Sequence, residues 1–165
     1  PFSIDFGVGD VIVPKQEKRK IPTQLDDFAS PTVNTYSLET TIAEKLDAIL
    51  DLMEFSSRMK DYYDIYYLAN KFDFDGATLT KALKKTFENR GHAFTIEQFE
   101  QVMAFAENEA MQKKWKAFCR KIDTKTADFN TVLKTIKEFL VEPFMAAVEN
   151  KEFEEKWTTL ESKWH

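Results

Sequence analysis

Cys119 is the only cysteine in 165 residues, so the chain can form no internal disulfide and no cysteine-based zinc site. Such usage fits a reducing compartment, and the expected location is the cytoplasm. Histidine is nearly as scarce. His92 and His165 lie in no nucleophile motif, which excludes a Ser-His-Asp hydrolase and a histidine-built metal centre. Four glycines and five prolines are too few for a linker, a collagen-like segment or a disordered chain. No apolar run approaches the roughly 18–20 residues that span a bilayer. The opening PFSIDFGVGD lacks the basic end and long apolar stretch of a signal peptide. An excess of positive charge is also missing: the formal net charge is −5, which argues against coating duplex DNA by bulk electrostatics. The basic runs Lys15 to Lys20, Lys81 to Lys85 and Lys113 to Lys121 read as solvated faces or loops.

What is abundant is aromatic. Fifteen Phe, five Tyr and three Trp supply contacts enough to hold helices together in a chain otherwise rich in Lys and Glu. The length suits one domain with a substantial core. The expected class is α+β, predominantly α, with a short N-terminal β element followed by a multi-helix bundle.

Phe2, Ile4 and Phe6 alternate with Ser3, Asp5 and Gly7, the period of a half-buried strand. Val11 to Val13 then predict a second short strand after the Gly9-Asp10 turn, Lys15 to Pro31 a loop, and Thr32 to Tyr36 an extended segment. From Ser37 the period becomes helical. Ser37 is the expected N-cap of a helix carrying Leu38, Ile42, Leu46, Ile49 and Met53 on one face. Further helices are expected from about Ser57 to Phe72 and from Thr78 to Asn89, the latter ended by Gly91. Another starts at Thr95 with a Thr95/Gln98 capping pattern and bends near Asn108, and one capped by Asp128 is kinked or restarted at Pro143. Phe153, Trp157, Leu160 and Trp164 predict a closing amphipathic helix.

Some charges fall where apolar residues belong. On a helical wheel with Leu38 at zero, Lys45 sits at about 340°, inside the stripe. Asp61 lies four, seven and eleven residues before Ile65, Leu68 and Phe72, on their face, with Arg58 three residues before it and Asp64 three after. Lys60 points to the polar side. An unpaired buried charge costs several kcal/mol, so these groups either snorkel out, pair with one another, or face a polar cleft. Convergence of Asp5, Asp61 and Asp64 with Lys45 and Arg58 would give the carboxylates that suit divalent metals beside the cations that suit phosphates.

The strings TYSLETTIAEKLDAIL and SRMKDYYDIYYL resemble the AbiEii/AbiGii toxin family of the DNA polymerase-β-like nucleotidyltransferase superfamily. The resemblance rests on Ala43-Glu44-Lys45 and on the R-x-K-D-x-x-D of Arg58, Lys60, Asp61 and Asp64. SIDFGVGDVIVP and ALKKTFENRGH are similar to the flanking strand-turn and the following helix. It implies that Lys45 contacts nucleotide phosphate with help from Arg58 and Lys60, that Asp61 and Asp64 assist at the same site, and that Asp5 corresponds to the superfamily's third metal-binding carboxylate. The defining Gly-Gly or Gly-Ser turn followed by D-x-D is not in this sequence.

The resemblance therefore implies the C-terminal part of a bacterial toxin–antitoxin or abortive-infection nucleotidyltransferase. When complete, it would move a nucleotide from an NTP to a cellular acceptor such as tRNA, with Mg²⁺ as cofactor. Residues 1–36 would be the remnant of its sheet and residues 37–165 a helical domain. The chain alone is expected to be inactive, to hold no metal tightly, and to be a monomer or weak dimer with no membrane association. The alternative is a non-catalytic helical module that recognises RNA or a cognate antitoxin.

Overall fold

The computed structural model describes residues 9, 11–23, 25, 27–122 and 127–165. The expected strand over Phe2 to Gly7, and with it Asp5, lies outside the described residues. Strand β1 (Glu17–Lys20) pairs antiparallel with β2 (Thr32–Thr35), Glu17 facing Thr35 and Lys20 facing Thr32. The expected loop from Lys15 to Pro31 thus contains a strand. Its sequence, EKRK, is exposed at every position, so burial leaves no alternation to read and backbone hydrogen bonding alone defines it. Val11 to Val13 do not form the expected second strand. The Val13 N–H donates to Thr40 Oγ1 at 2.8 Å, and its carbonyl accepts from the hydroxyls of Ser37 and Thr40. The start of the first helix therefore takes the main-chain groups that a sheet partner would otherwise take.

Helices α1 (Leu38–Leu52), α2 (Met59–Lys71) and α3 (Gly76–Arg90) follow, then α4 (Ile96–Met103), α5 (Glu109–Lys121) and α6 (Phe129–Glu149). Except in α2, which starts after Arg58 without a side-chain cap, their starts are fixed by side-chain oxygens that accept otherwise unpaired N–H groups of the first turn. Ser37 accepts from Thr40, Asp75 from Thr78, Asn108 from Met111 and Asp128 from Thr131. Thr95 and Gln98 form the full reciprocal capping box. A 3₁₀ turn over Met53–Phe55 joins α1 to α2, and another over Ala104–Glu107 makes the bend before α5. Among the described residues, no helix is long and apolar enough to cross a membrane.

Helix α6 is the central element. It buries Val132, Leu133, Ile136, Phe139, Leu140, Phe144 and others against α2, α3 and α4. It continues through Pro143 rather than restarting there. Proline has no N–H for the carbonyl four residues earlier, so Phe139 loses its helical donor. The indole N–H of Trp164 takes that place, donating to the Phe139 carbonyl at 3.0 Å.

The closing segment is not the expected helix. Strand β4 (Lys156–Thr158) lies between β3 (Phe74–Asp75) and β5 (Lys163–Trp164), pairing Trp157 with both Phe74 and Trp164. A separation of seven residues brings two side chains to one helix face, but also to opposite arms of a short hairpin. Leu160, which a helix would bury, is 98% exposed at the turn. Gly76 makes the return possible, because its N–H donates to the Glu155 carbonyl and an added Cβ would lie 2.6 Å from that oxygen and from a Phe153 ring carbon. Gly76→Ala is therefore expected to cost about 1–3 kcal/mol through overpacking, measured by urea unfolding.

The aspartate caps make folding acid-sensitive. The Thr78 hydroxyl and N–H hold the Asp75 carboxyl below its ordinary range, and the Thr131 N–H does the same for Asp128. A lowered folded-state value gives stability that is present above the ordinary carboxylate range and lost as pH falls through the folded value. Asparagine still caps but does not titrate. The double variant Asp75→Asn/Asp128→Asn is expected to lose less stability than the parent between about pH 5 and about pH 3, compared by urea melts.

Candidate functional site

Helix α1 turns three different faces to its surroundings. With Leu38 at zero, its buried residues sweep from about 20° (Ile49) to about 200° (Thr40), leaving Lys45 at one border and Asp47 near the other. Lys45 thus marks the edge of the apolar sector rather than its interior. Thr41, Glu44, Lys45 and Ala48 form the outward face, all half-buried, and a cleft of about 250 Å³ runs along them. Arg58 and Asp61 of the α2 segment, Arg90 at the end of α3, and Tyr36 complete its lining.

On the α2 side the charges meet as the wheel readings anticipate. Lys45 Nζ lies 3.0 Å from Asp61 Oδ1 and 2.6 Å from Asp64 Oδ2, bridging two carboxylates one helical turn apart. Arg58 Nε approaches the second Asp61 oxygen to 2.8 Å, and Lys60 Nζ reaches Asp64 at 2.5 Å. The Asp61 side chain is 5% exposed, whereas Arg58 and Lys60 are largely in solvent. The Arg58 contact is an ion pair without hydrogen-bond alignment, so Asp61 Oδ2 keeps an unfilled lone pair. Lys60 and Asp64 do not line the cleft; they stand behind Lys45.

Burial disfavours the Lys45 ammonium, but hydrogen bonds to Asp64 and Asp61 and their charges outweigh it, and its pKa rises above the ordinary lysine value. Lys45 is thus a fixed cation at neutral pH. Tyr62, behind Asp61, is driven far above the phenol range by burial and then by the Asp61 charge. It cannot serve as a base.

On the α3 side stands a cluster that the wheel readings missed. Asp47 is buried, with Arg90 Nη1 and His92 Nδ1 each 2.9 Å from its oxygens. The missed signal was Ala43, Asp47 and Leu50 at spacings of four and three, the same pattern that singled out Asp61.

A family model for the nucleotidyl transferase AbiEii toxin of type IV toxin–antitoxin systems matches residues 1–158. The chain belongs to this family. No curated protein and no solved structure matches it. The AbiEii assignment makes this chain kin to nucleotidyltransferases, and the cleft along α1 is where it gathers Lys45, Arg58 and Asp61. Nucleotidyltransferases commonly use Mg²⁺. Among the described residues, no group of three or more Asp, Glu, His or Cys is placed to hold a metal, and both α2 carboxylates already face cations. These residues do not fit a metal cage.

A larger hollow, about 610 Å³, lies away from this cleft between α5 and the start of α6, lined by Trp115, Cys119 and Phe129 among others. Burial raises the Cys119 thiol above its ordinary value, the opposite of what an activated nucleophile needs.

Proposed function

We propose that the cleft along α1 binds the phosphates of an NTP and that Lys45 is its principal cation. The observation that carries this is the double clamp on Lys45: two carboxylates hold one ammonium in place where it lines the cleft beside Arg58. In nucleotidyl transfer, an acceptor oxygen bonds to the α-phosphorus, the bond to the bridging oxygen of the β-phosphate breaks, and pyrophosphate leaves. Lys45 and Arg58 would offset the negative charge that spreads over the phosphate oxygens. Asp61 and Asp64 fix Lys45, and Lys60 steadies Asp64. Asp61 Oδ2 is buried against Arg58, out of the incoming group's reach, so the acceptor's proton passes to solvent.

The chain acts in this reading as the C-terminal part of a toxin whose Gly-Ser turn and D-x-D acids lie outside these 165 residues. Residues 1–36 are then the remnant of the catalytic sheet and residues 37–165 a helical domain. The acceptor is tRNA or another RNA, and a cognate antitoxin is the protein partner. The test is incubation of the complete protein with labelled NTPs, Mg²⁺ and a tRNA pool. Label incorporated into RNA supports the reading, and no label in any acceptor overturns it.

One observation favours a second reading, in which the helices only bind RNA or an antitoxin. Lys45, Arg58, Lys60, Asp61 and Asp64 all have oppositely charged neighbours within the chain, as a purely structural network would.

A further inference from the structure

The far wall of the cleft is built from one helix ending. Gly91 adopts the left-handed conformation at φ 70°, its N–H donating to Glu88 and that of His92 to Phe87, the paired bonds of a Schellman ending. The reversal puts Arg90, the last helical residue, and His92, the second residue beyond it, on the same carboxylate. Asp47 accepts from both at 2.9 Å while its side chain is only 2% exposed.

Asp47 does not use up the arginine. A guanidinium carries five N–H donors in a fixed fork, and Asp47 takes one at Nη1. Nη2 stands 4.0 Å from the Glu44 carboxylate, and the side chain remains 34% exposed. Arg90 lines the same cleft as Lys45 and Arg58, from the opposite helix. The lining therefore carries three cations, Lys45, Arg58 and Arg90, against two carboxylates, Glu44 and Asp61. A volume of about 250 Å³ is below the roughly 300–1,000 Å³ of pockets that enclose whole small ligands. It suits a polyphosphate better than an entire nucleotide.

We propose that Arg90 is a further phosphate-binding residue of this cleft, held in a fixed orientation by Asp47, so that the triphosphate of the nucleotide is gripped from the α2 and α3 sides together. This rests on the reading of the cleft as a nucleotide site. Asp47 and His92 act through Arg90 and are positioning residues. Arginine suits the place because its planar fork keeps one N–H on Asp47 while presenting others to phosphate oxygens in a fixed bidentate geometry, which a single ammonium does not match.

The experiment titrates the chain with inorganic tripolyphosphate at low ionic strength by isothermal calorimetry. The proteins compared are the wild type, Lys45→Ala, Arg90→Gln and Arg90→Lys, with melting curves for each. The helix ending is held by the main-chain bonds of Gly91 and His92, and His92 stays on Asp47, so Arg90→Gln removes the charge and leaves the ending folded. It is expected to weaken binding at least about tenfold, and Arg90→Lys to recover part of the loss. Wild-type affinity in Arg90→Gln, with loss in Lys45→Ala, would overturn the role of Arg90 and leave the nucleotide site standing. The reverse pattern would keep Arg90 and remove Lys45 as the principal cation. No binding by the wild type would overturn both.

Discussion

Lys45→Ala is expected to lower nucleotide transfer by the complete protein at least about 100-fold while the chain still folds. The geometry explains why these two outcomes can coexist. Losing one partner of a buried ion pair ordinarily costs about 3–5 kcal/mol, because the other charge is stranded. Here neither carboxylate is stranded. Asp61 keeps Arg58 at 2.8 Å and Asp64 keeps Lys60 at 2.5 Å, both cations reaching in from solvent. The loss in stability should therefore stay below about 3 kcal/mol. Asp61→Ala behaves differently in degree, since it removes the more buried carboxylate but leaves Lys45 on Asp64 at 2.6 Å. Label transfer to RNA and thermal melts, run on the same preparations, separate catalysis from structure. A steep fall in melting temperature with transfer retained at low temperature would mean that Lys45 is only a structural tie. The raised pKa of Lys45 adds a direction: its contribution to folding is complete below the ordinary lysine value and is lost only as pH rises through the higher folded one. At neutral pH the wild-type Lys45 is therefore fully charged.

The parts of this fold that were legible in the sequence are those decided locally. Ser37, Thr95 with Gln98, Asp128 and Gly91 mark helix boundaries, because a cap is a bond between residues two or three apart and needs no tertiary context. The meeting of Lys45 with Asp61 was legible for a related reason, since a charge on an apolar face has few outlets and opposite charges on adjacent helices satisfy each other. Asp47 was overlooked because the wheel was anchored on Leu38, whereas the buried sector of α1 centres on about 110°, closer to Leu46 and Leu50. The direction of burial depends on which helices pack alongside, and no helix carries that information alone. Strand β1 was illegible because both of its faces are exposed. The C-terminal sheet was misread because Trp157 and Trp164 satisfy a helical period and a hairpin equally well, and long-range pairing with Phe74 decides between them.

Trp157→Ala is expected to be the most destabilising single substitution at the C-terminal sheet, at about 3–5 kcal/mol in urea unfolding. Trp157 is 1% exposed and packs its ring at 5.0 Å from Phe139 and 5.6 Å from Trp164, so alanine would open a cavity under the central helix. It also supplies a bond that nothing else nearby replaces. Helix α2 ends at Lys71, leaving the Ala69 carbonyl without a helical donor, and the Trp157 indole N–H donates to it at 2.8 Å. Trp157→Phe should keep most of the packing and lose this bond, costing about 1–3 kcal/mol for the unsatisfied carbonyl. Trp164 offers an internal control on the argument, because it performs the same service for the Phe139 carbonyl that Pro143 leaves unpaired. In a Pro143→Ala background the helix regains its own N–H at that position, provided the backbone settles into regular geometry. Trp164→Phe should then cost less than it does beside Pro143, and the difference is the coupling energy of a double-mutant cycle. Equal costs in the two backgrounds would show that Trp164 stabilises the molecule by packing alone.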